Sequence, residues 1–227
     1  MIKIENTEVY GWKAAIRGMR NSYNSWDKSD SYETHIENPQ TLNTAPFEFF
    51  IGDNDLALMK KLVKSGSDHS KFMRMITVTC DITAPLYWWK EADTYKVGTV
   101  RNSCSTMHKI TEKEFTLDDF SHEHIYDDVT TEPSSLKVLH SIIDTLNQYR
   151  HLYLVSKCNG DWLQIIQLLP SSYNQRATLM LNYEVLRNMY HSRKNHRLDE
   201  WVEFCKWIET LPYSELITGG NENGTQA

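Results

Sequence analysis

The sequence lacks the features that mark several common classes of protein. Its four cysteines, in a chain of 227 residues, are far apart and include no Cys-x-x-Cys pair, so neither a zinc knuckle nor a disulfide framework is indicated. No run of 18 apolar residues is present, which argues against a membrane span. The first residues lack the basic-then-apolar order of a secretory signal. We therefore expect a reduced, cytoplasmic protein with no membrane partner.

Glycine and positive charge are also scarce. The chain has 9 glycines, and neither GxGxxG nor GxxxxGK[ST] occurs, which excludes the two common glycine-loop nucleotide sites. The 24 Lys and Arg residues face 30 Asp and Glu residues, and the net charge of −6 argues against a nucleic acid polymer as partner. A few cations focused in a cleft would still bind a small anion.

What is present is typical of a single α+β domain. Hydrophobic residues make up 40% of the chain and charged residues 24%, which is enough to bury a core. Helical spacing predicts helices over 8–20, 53–66, 86–92, 135–157, 161–168, 182–193 and 199–210, and alternation predicts strands over 76–83 and 177–181. We interpret 24–48 and 97–108 as loops, 111–133 as a solvated acidic excursion, and 219–227 as a flexible tail after a domain over 1–218.

Two constellations have both a chemical and a structural interpretation. His122 and His124 lie among carboxylates and would suit a metal, but no third ligand stands at a defined spacing, so an exposed acidic loop is preferred. Cys104 and His108 would pair as nucleophile and base on one helical face, although a structural thiol is preferred. No metal is therefore expected.

Positive charge is concentrated in two segments. The cations Lys90, Lys96, Arg101 and Lys109 flank the small-residue loop, which alone is a weak signal for phosphate. A second group runs from Arg187 to Arg197 at the end of a predicted helix. The partial negative charge at a helix C-terminus attracts cations, and this attraction explains one or two of them better than it explains all five.

Taken in order, these segments resemble the flavin-dependent thymidylate synthase family over roughly residues 9–205. Arg20-Asn-Ser-Tyr23 is similar to the family's Arg-x-Ser-aromatic segment, and His69-Ser-Lys-Phe72 precedes the alternating strand as in the family. Thr94-Tyr-Lys96 and Asn102–His108 stand where the family has Arg-His-Arg and Asn-Glu-x-Ser-x-Arg-Tyr. Leu169-Pro170, Asn182, Leu186 and Arg193 fall at the spacing of the family's C-terminal half.

The resemblance implies an enzyme that methylates dUMP reductively to dTMP. In that chemistry FAD is reduced by NADPH and passes a hydride to the pyrimidine, while methylenetetrahydrofolate supplies the carbon. No cysteine nucleophile is required, which agrees with the isolated cysteines. The family's homotetramers combine residues from several chains in each active site, so we expect a homotetramer here.

The resemblance also implies roles for individual residues. Arg193 would polarise the pyrimidine carbonyl, and Ser105 would lie at the phosphate or ring of the nucleotide. The implied catalytic residues are Arg193 and Ser105, and the implied substrate-binding residues are Glu91, Ser103, Ser105 and Arg193. The implied cofactor-binding residues are Ser22, His69, Arg74, Tyr95, Lys96, Asn182, His196 and Arg197.

The sequence departs from the family pattern at charged positions. Only Lys96 retains charge in place of the two signature arginines, and Ser103, Met107 and His108 replace Glu, Arg and Tyr. The nearby cations that would compensate are Arg74, Lys90, Arg101 and Lys109.

These departures leave two alternatives open. One is flavin-dependent hydroxymethylation of another pyrimidine nucleotide, with Glu91 accepting a hydrogen bond from a cytosine amino group. The other is a non-catalytic, nucleotide-binding descendant of the same fold.

Overall fold

A computed structural model describes residues 2–35, 47–128 and 130–219 of the chain. Its strands are β1 (Lys3–Tyr10), β2 (Tyr32–His35), β3 (Phe47–Phe50), β4 (Thr77–Pro85), β5 (Val100–Ser103) and β6 (Asn174–Asn182). Its helices are α1 (Trp12–Arg20), α2 (Asp53–Lys64), α3 (Leu86–Ala92), α4 (Thr106–Lys109), α5 (Ser135–Ser156), α6 (Asn159–Leu168), α7 (Tyr183–Arg193), α8 (Asp199–Glu209) and α9 (Glu215–Thr218). This composition confirms the predicted α+β class.

An antiparallel sheet in the order β1-β4-β6-β5 forms the centre of the fold. Along β4, Val78, Cys80 and Ile82 are buried while the threonines between them face the other side. This alternation is the period of two that predicted the strand. The buried face packs against residues of α1, α2, α3, α7 and α8 in the main hydrophobic core.

The predicted helix over 8–20 is wrong in its first part. Residues up to Tyr10 belong to β1, which pairs with β4, and the helix begins only at Trp12. A bulge between Glu5 and Glu8, with Asn6 at a φ of 52°, interrupts the alternation of β1 and hides the strand in the sequence. Gly11 makes the turn at a φ of 94°, where a Cβ would lie 2.0 Å from the carbonyl oxygen of Met75.

The two predicted loops contain regular structure. Within 24–48, strand β2 pairs with β3 in a separate two-stranded sheet, and residues 36–46 of that prediction lie outside the described residues. Within 97–108, β5 pairs with β6, and α4 follows. The side chains of β5 are mostly polar and exposed, so backbone pairing rather than an apolar pattern holds this edge strand.

A second hydrophobic cluster corrects the interpretation of the acidic segment 111–133. Phe115 and Phe120 of that segment are buried against α5 and α6. The backbone N–H of Ser121 also donates to the carbonyl of Ser172, beside β6. The segment is therefore anchored at its aromatic residues and is not simply a solvated excursion.

The remaining predicted helices and strands are confirmed, with ends within a few residues. The predicted strand 177–181 extends to the whole of β6, and α9 was not predicted. Among the described residues, no helix is long and apolar enough to cross a membrane. The division of the chain at residue 218 stays a prediction, since residues 220–227 lie outside the described part.

Candidate functional site

Five side chains, from three helices and the two segments that follow α3 and α7, meet at the predicted catalytic arginine, and we name them the arginine cluster. Arg193 donates from its Nε to the Tyr95 hydroxyl (3.0 Å) and from a terminal nitrogen to Glu91 Oε2 (2.9 Å). The Trp201 indole N–H donates to the same Glu91 oxygen (2.9 Å). His196 Nε2 lies 3.5 Å from it. Four of the five were predicted site residues, and Trp201 lies in the predicted helix over 199–210, with no predicted role in the site.

The local sequence explains why these side chains converge. Pro85 begins α3 and places Glu91 in its last turn, with Tyr95 in the turn beyond. Asn182 begins α7 as its N-cap, which leaves Arg193 as the last residue of that helix. The guanidinium of Arg193 lies 4.9 Å from the ring centre of Trp201, which is fully buried in α8.

The arginine cluster retains unused hydrogen-bonding atoms. The side chains of Arg193 and Glu91 are 21% and 35% exposed. Within the described residues, Glu91 Oε1 and the second terminal nitrogen of Arg193 have no hydrogen-bond partner. The cluster thus keeps one acceptor and one donor for a ligand, and the edge of a nucleobase offers both kinds of partner.

A separate cavity of about 460 Å³ lies at the start of α4. Ser105 lines it and also caps α4, since its hydroxyl accepts the backbone N–H of His108 (3.3 Å). Cys104 lines the cavity as well and is exposed, which contradicts its interpretation as a buried structural thiol. It precedes α4, so it does not share a helical face with His108.

Two groups that line or border this cavity have perturbed pKa values. Burial raises the pKa of Tyr173, which keeps its phenol protonated at neutral pH. Hydrogen bonds from Thr178, Arg176 and Asn6 hold the pKa of Asp81 well below its usual range. Asp81 is therefore an anion, and it accepts a hydrogen bond from the Arg176 guanidinium at 2.8 Å.

Arg101 connects the end of α3 to the cavity. It stacks on Trp89, with 4.0 Å between guanidinium carbon and ring centre, and donates to Asp93 (2.6 Å) and to the Gln175 side chain. Asp93 follows α3, and Gln175 lines the cavity. Arg101 thus joins the two places and is not a free cation.

Three of the four cations expected to compensate each have an anionic partner in the structure, and their role toward a ligand stays a prediction. Arg74 donates to both carboxylate oxygens of Glu184 (2.7 and 3.0 Å). Arg101 pairs with Asp93, and Lys109 pairs with Glu112. Lys90 is exposed, with no ion pair among the described residues.

The other predicted cofactor-binding residues are dispersed. Ser22, His69, Lys96 and Arg197 are exposed. The buried Asn182 uses its oxygen to cap α7, and Gly98 approaches so closely that a Cβ there would lie 2.6 Å from the amide nitrogen. Ser103 is exposed at the end of β5. The ligand roles of these residues stay predictions.

The two histidines considered as metal ligands contact different partners. His124 Nε2 pairs with Asp199 (2.8 Å), and His122 Nδ1 lies 2.8 Å from the carbonyl oxygen of Phe120. No group of three metal-ligating side chains occurs among the residues that the structure describes.

The sequence did not predict the hydrogen bonds of Gln175 or the contact of Trp201 with Glu91. Gln175 donates to the Cys104 carbonyl (2.9 Å) and accepts from Arg101, yet it lies in a strand of which only the apolar residues were considered. The available signal was a polar side chain near the start of a strand, which could have indicated a contact outside the core. For Trp201 no sequence signal existed, because a helix-period tryptophan is typical of core.

Comparison with known proteins gives structural relatives only. No protein-family model matches the sequence, and no curated protein sequence matches it either. Flavin-dependent thymidylate synthase ThyX from Helicobacter pylori, complexed with FAD and dUMP, aligns with a TM-score of 0.63 and 16% identity over 94% of this chain and 96% of that one. A second structure of that protein with FAD and dUMP aligns with a TM-score of 0.63 and 15% identity, over 95% and 96% of the two chains.

A third similar structure carries a different description. The UMP/dUMP methylase PolB from Streptomyces cacaoi, bound with 5-Br dUMP, aligns with a TM-score of 0.58 and 15% identity over 96% of this chain and 95% of that one. These likenesses extend over nearly the whole of each chain. The protein therefore has the fold of the flavin-dependent thymidylate synthases, which confirms the fold implied by the resemblance.

Proposed function

We propose that the protein is a flavin-dependent enzyme that transfers a one-carbon group to a pyrimidine nucleotide, with reductive methylation of dUMP to dTMP as the reference reaction. The observation that carries the proposal is the arginine cluster, in which Arg193 is held by neighbouring side chains and still has a free donor. The fold supports the same class of ligand, because neighbours with this fold were crystallised with dUMP or 5-Br dUMP.

In this proposal Arg193 acts on the pyrimidine carbonyl. Its guanidinium donates to the oxygen on which negative charge develops, and a donor fixed in advance stabilises that charge without reorganisation. Tyr95 and Glu91 orient the guanidinium from two sides. Ser105, whose oxygen already accepts a backbone N–H, retains its own proton to donate to the nucleotide.

The residues present fit a flavin dinucleotide through two cations that have no ion pair among the described residues. Lys96 follows Tyr95, and Arg197 follows His196, so two exposed cations flank the arginine cluster and would hold a diphosphate. Asn182 and His196 would contact the ring system. When bound, FAD supplies the hydride, with NADPH and methylenetetrahydrofolate as the co-substrates that the resemblance implies.

We also propose that copies of the chain assemble to complete the site. Among the described residues, no member of the arginine cluster lines the Ser105 cavity of the same chain. A nucleotide that contacts both Arg193 and Ser105 is therefore accommodated most simply between copies, as in a homotetramer. Native mass spectrometry tests this assembly, and a monomer that still binds nucleotide would overturn it.

The experiment that tests the cofactor is an absorbance spectrum from 300 to 600 nm, recorded after incubation with FAD and removal of free flavin. We expect a stoichiometric flavin band. Turnover assays with dUMP, methylenetetrahydrofolate and NADPH would follow. A colourless protein would contradict the flavin enzyme and favour the non-catalytic nucleotide-binding descendant, for which a thermal-shift screen of nucleotides is the next measurement.

A further inference from the structure

Two hydrogen bonds hold the beginning of α8 against α3, and one of them belongs to the arginine cluster. In that bond the indole N–H of Trp201 donates to Glu91 Oε2 at 2.9 Å. In the other, the hydroxyl of Tyr87, one turn before Glu91 on α3, donates to Oε1 of Glu200, the residue that precedes Trp201. Each helix therefore gives one donor to the other, at neighbouring positions.

The bond between Tyr87 and Glu200 is enclosed by the protein. Glu200 is only 7% exposed, so it is not placed to contact a ligand directly. Burial, followed by the hydrogen bond to Glu200, raises the pKa of Tyr87, so its phenol remains a donor at neutral pH. The Ser121 hydroxyl lies 3.1 Å from the Tyr87 oxygen and 3.3 Å from Glu200 Oε1. The bond is thus a lasting link between the two helices and not part of an open surface.

This link bears on the arginine cluster through Trp201. The indole of Trp201 binds Glu91 and lies 4.9 Å from the guanidinium of Arg193. Apolar packing buries the indole, but packing has no preferred direction, whereas a hydrogen bond does. A shift in the first turn of α8 would therefore move the indole, and the ion pair that it contacts would move with it.

We propose that Tyr87 and Glu200 are positioning residues of the candidate site. Their hydrogen bond fixes the first turn of α8, and the indole of Trp201 in that turn holds the Arg193–Glu91 pair in the orientation that the reaction uses. The inference rests on the proposed function, in which Arg193 stabilises negative charge on the pyrimidine carbonyl. Since that charge develops in the transition state, loss of the link should affect turnover more than nucleotide binding.

Steady-state kinetics of the full chain with FAD, dUMP, methylenetetrahydrofolate and NADPH is the first test. Tyr87→Phe removes the hydroxyl and keeps the ring, and we expect kcat to fall about tenfold while the KM for dUMP changes less than about twofold. Glu200→Ala should behave alike, whereas Glu200→Gln should retain kcat because its amide oxygen accepts the same hydroxyl. His124→Ala is the matched control, since it breaks only the exposed pair with Asp199 at the same end of α8.

Fluorine NMR of the same variants is the second test, and it does not depend on turnover. The chain has seven tryptophans, and 5-fluorotryptophan labels all of them. The Trp201 resonance is assigned by its loss in Trp201→Phe. We expect this resonance to shift or broaden in Tyr87→Phe and Glu200→Ala, and to keep its wild-type position in Glu200→Gln and His124→Ala.

Several results would overturn the positioning role. One is an unchanged kcat in Tyr87→Phe and Glu200→Ala, even if both variants are less stable, because the link would then serve stability alone. Others are a loss of nucleotide affinity as large as the loss in kcat, an equal loss in Glu200→Gln and Glu200→Ala, or an unchanged Trp201 resonance. A folded wild type without turnover would overturn the proposed function instead, and the Trp201 resonance would then decide the positioning role by itself.

Discussion

Two arginines in this protein end a helix and pair with a carboxylate from another helix, yet their surroundings differ. Arg20, at the end of α1, contacts Asp55 of α2 at 2.6 Å, and these side chains are only 5% and 0% exposed. The second oxygen of Asp55 accepts the hydroxyls of Ser29 and Ser31, each at 2.6 Å. Every oxygen of this carboxylate is thus used within the protein.

The Arg193–Glu91 pair has the same chemistry in a more open setting. Its side chains are several times more exposed, and each partner keeps an atom without a contact among the described residues. A buried ion pair whose carboxylate is saturated fixes one conformation, whereas an exposed pair with an unused carboxylate oxygen can bind a ligand. Burial and the saturation of the carboxylate, rather than the presence of an arginine, distinguish the structural pair from the candidate site.

Removing the buried carboxylate should have the largest effect on stability. Asp55→Ala leaves the buried Arg20 charge without its anionic partner, so we expect the free energy of unfolding to fall by about 3–5 kcal/mol. Urea denaturation followed by tryptophan fluorescence measures it. Lys13→Ala, which breaks the exposed Lys13–Glu33 pair, is the control and should cost less than about 1 kcal/mol. Equal losses in both variants would contradict the comparison.

Removing the open arginine should instead affect ligand binding and turnover. Arg193→Ala deletes the fixed donor to the pyrimidine carbonyl, and we expect a loss of about 10²–10³-fold in turnover. Steady-state kinetics, with unfolding measured in parallel, separates this loss from instability. Arg187→Ala, on the same helix, is the matched control. If Arg193→Ala leaves both nucleotide binding and turnover unchanged, the proposed site is wrong.

The buried Arg20–Asp55 pair should also make the stability of the protein sensitive to acid. Hydrogen bonds from Ser29, Ser31 and Arg20 outweigh burial and lower the pKa of Asp55 below its ordinary value. Its contribution to stability is therefore complete above about pH 4 and is lost as pH falls through the folded-state pKa. We expect urea midpoints of the wild type to fall more steeply below pH 4 than those of Asp55→Asn. Parallel curves would assign the acid sensitivity to other carboxylates.

The fold was more predictable from the sequence than the site was. Strand β4 followed from the alternation of Val78, Cys80 and Ile82, and the start of α7 followed from the cap Asn182, because both signals are local. Strand β1 was missed because its bulge breaks the period, and β5 because an edge strand needs no apolar pattern.

The membership of the site was predictable only in part. The resemblance implies binding roles for Glu91, Tyr95, Arg193 and His196, and the structure brings these side chains into one cluster. The resemblance also implies a role for Arg74, whose Nε and one terminal nitrogen donate to Glu184, a residue 110 positions away. Whether an arginine is saturated depends on such long-range partners, and no local pattern reports them.

The Asn182 side chain combines a structural role with a proposed ligand-binding role, and its substitution should have the smallest effect on stability and on ligand binding. Its oxygen accepts the N–H of Val185 at 3.0 Å, while its amide nitrogen has no hydrogen-bond partner among the described residues. Asn182→Ala should lose about 1 kcal/mol of stability with the cap, and Asn182→Asp should lose little, since a carboxylate also caps. If the amide nitrogen is open for a ligand, as the second terminal nitrogen of Arg193 is, Asn182→Asp should still retain less FAD, measured by absorbance after gel filtration. Full FAD retention in Asn182→Asp would restrict Asn182 to its role as the cap of α7. It would also show that its amide nitrogen, beside Gly98, is too enclosed to bind a ligand.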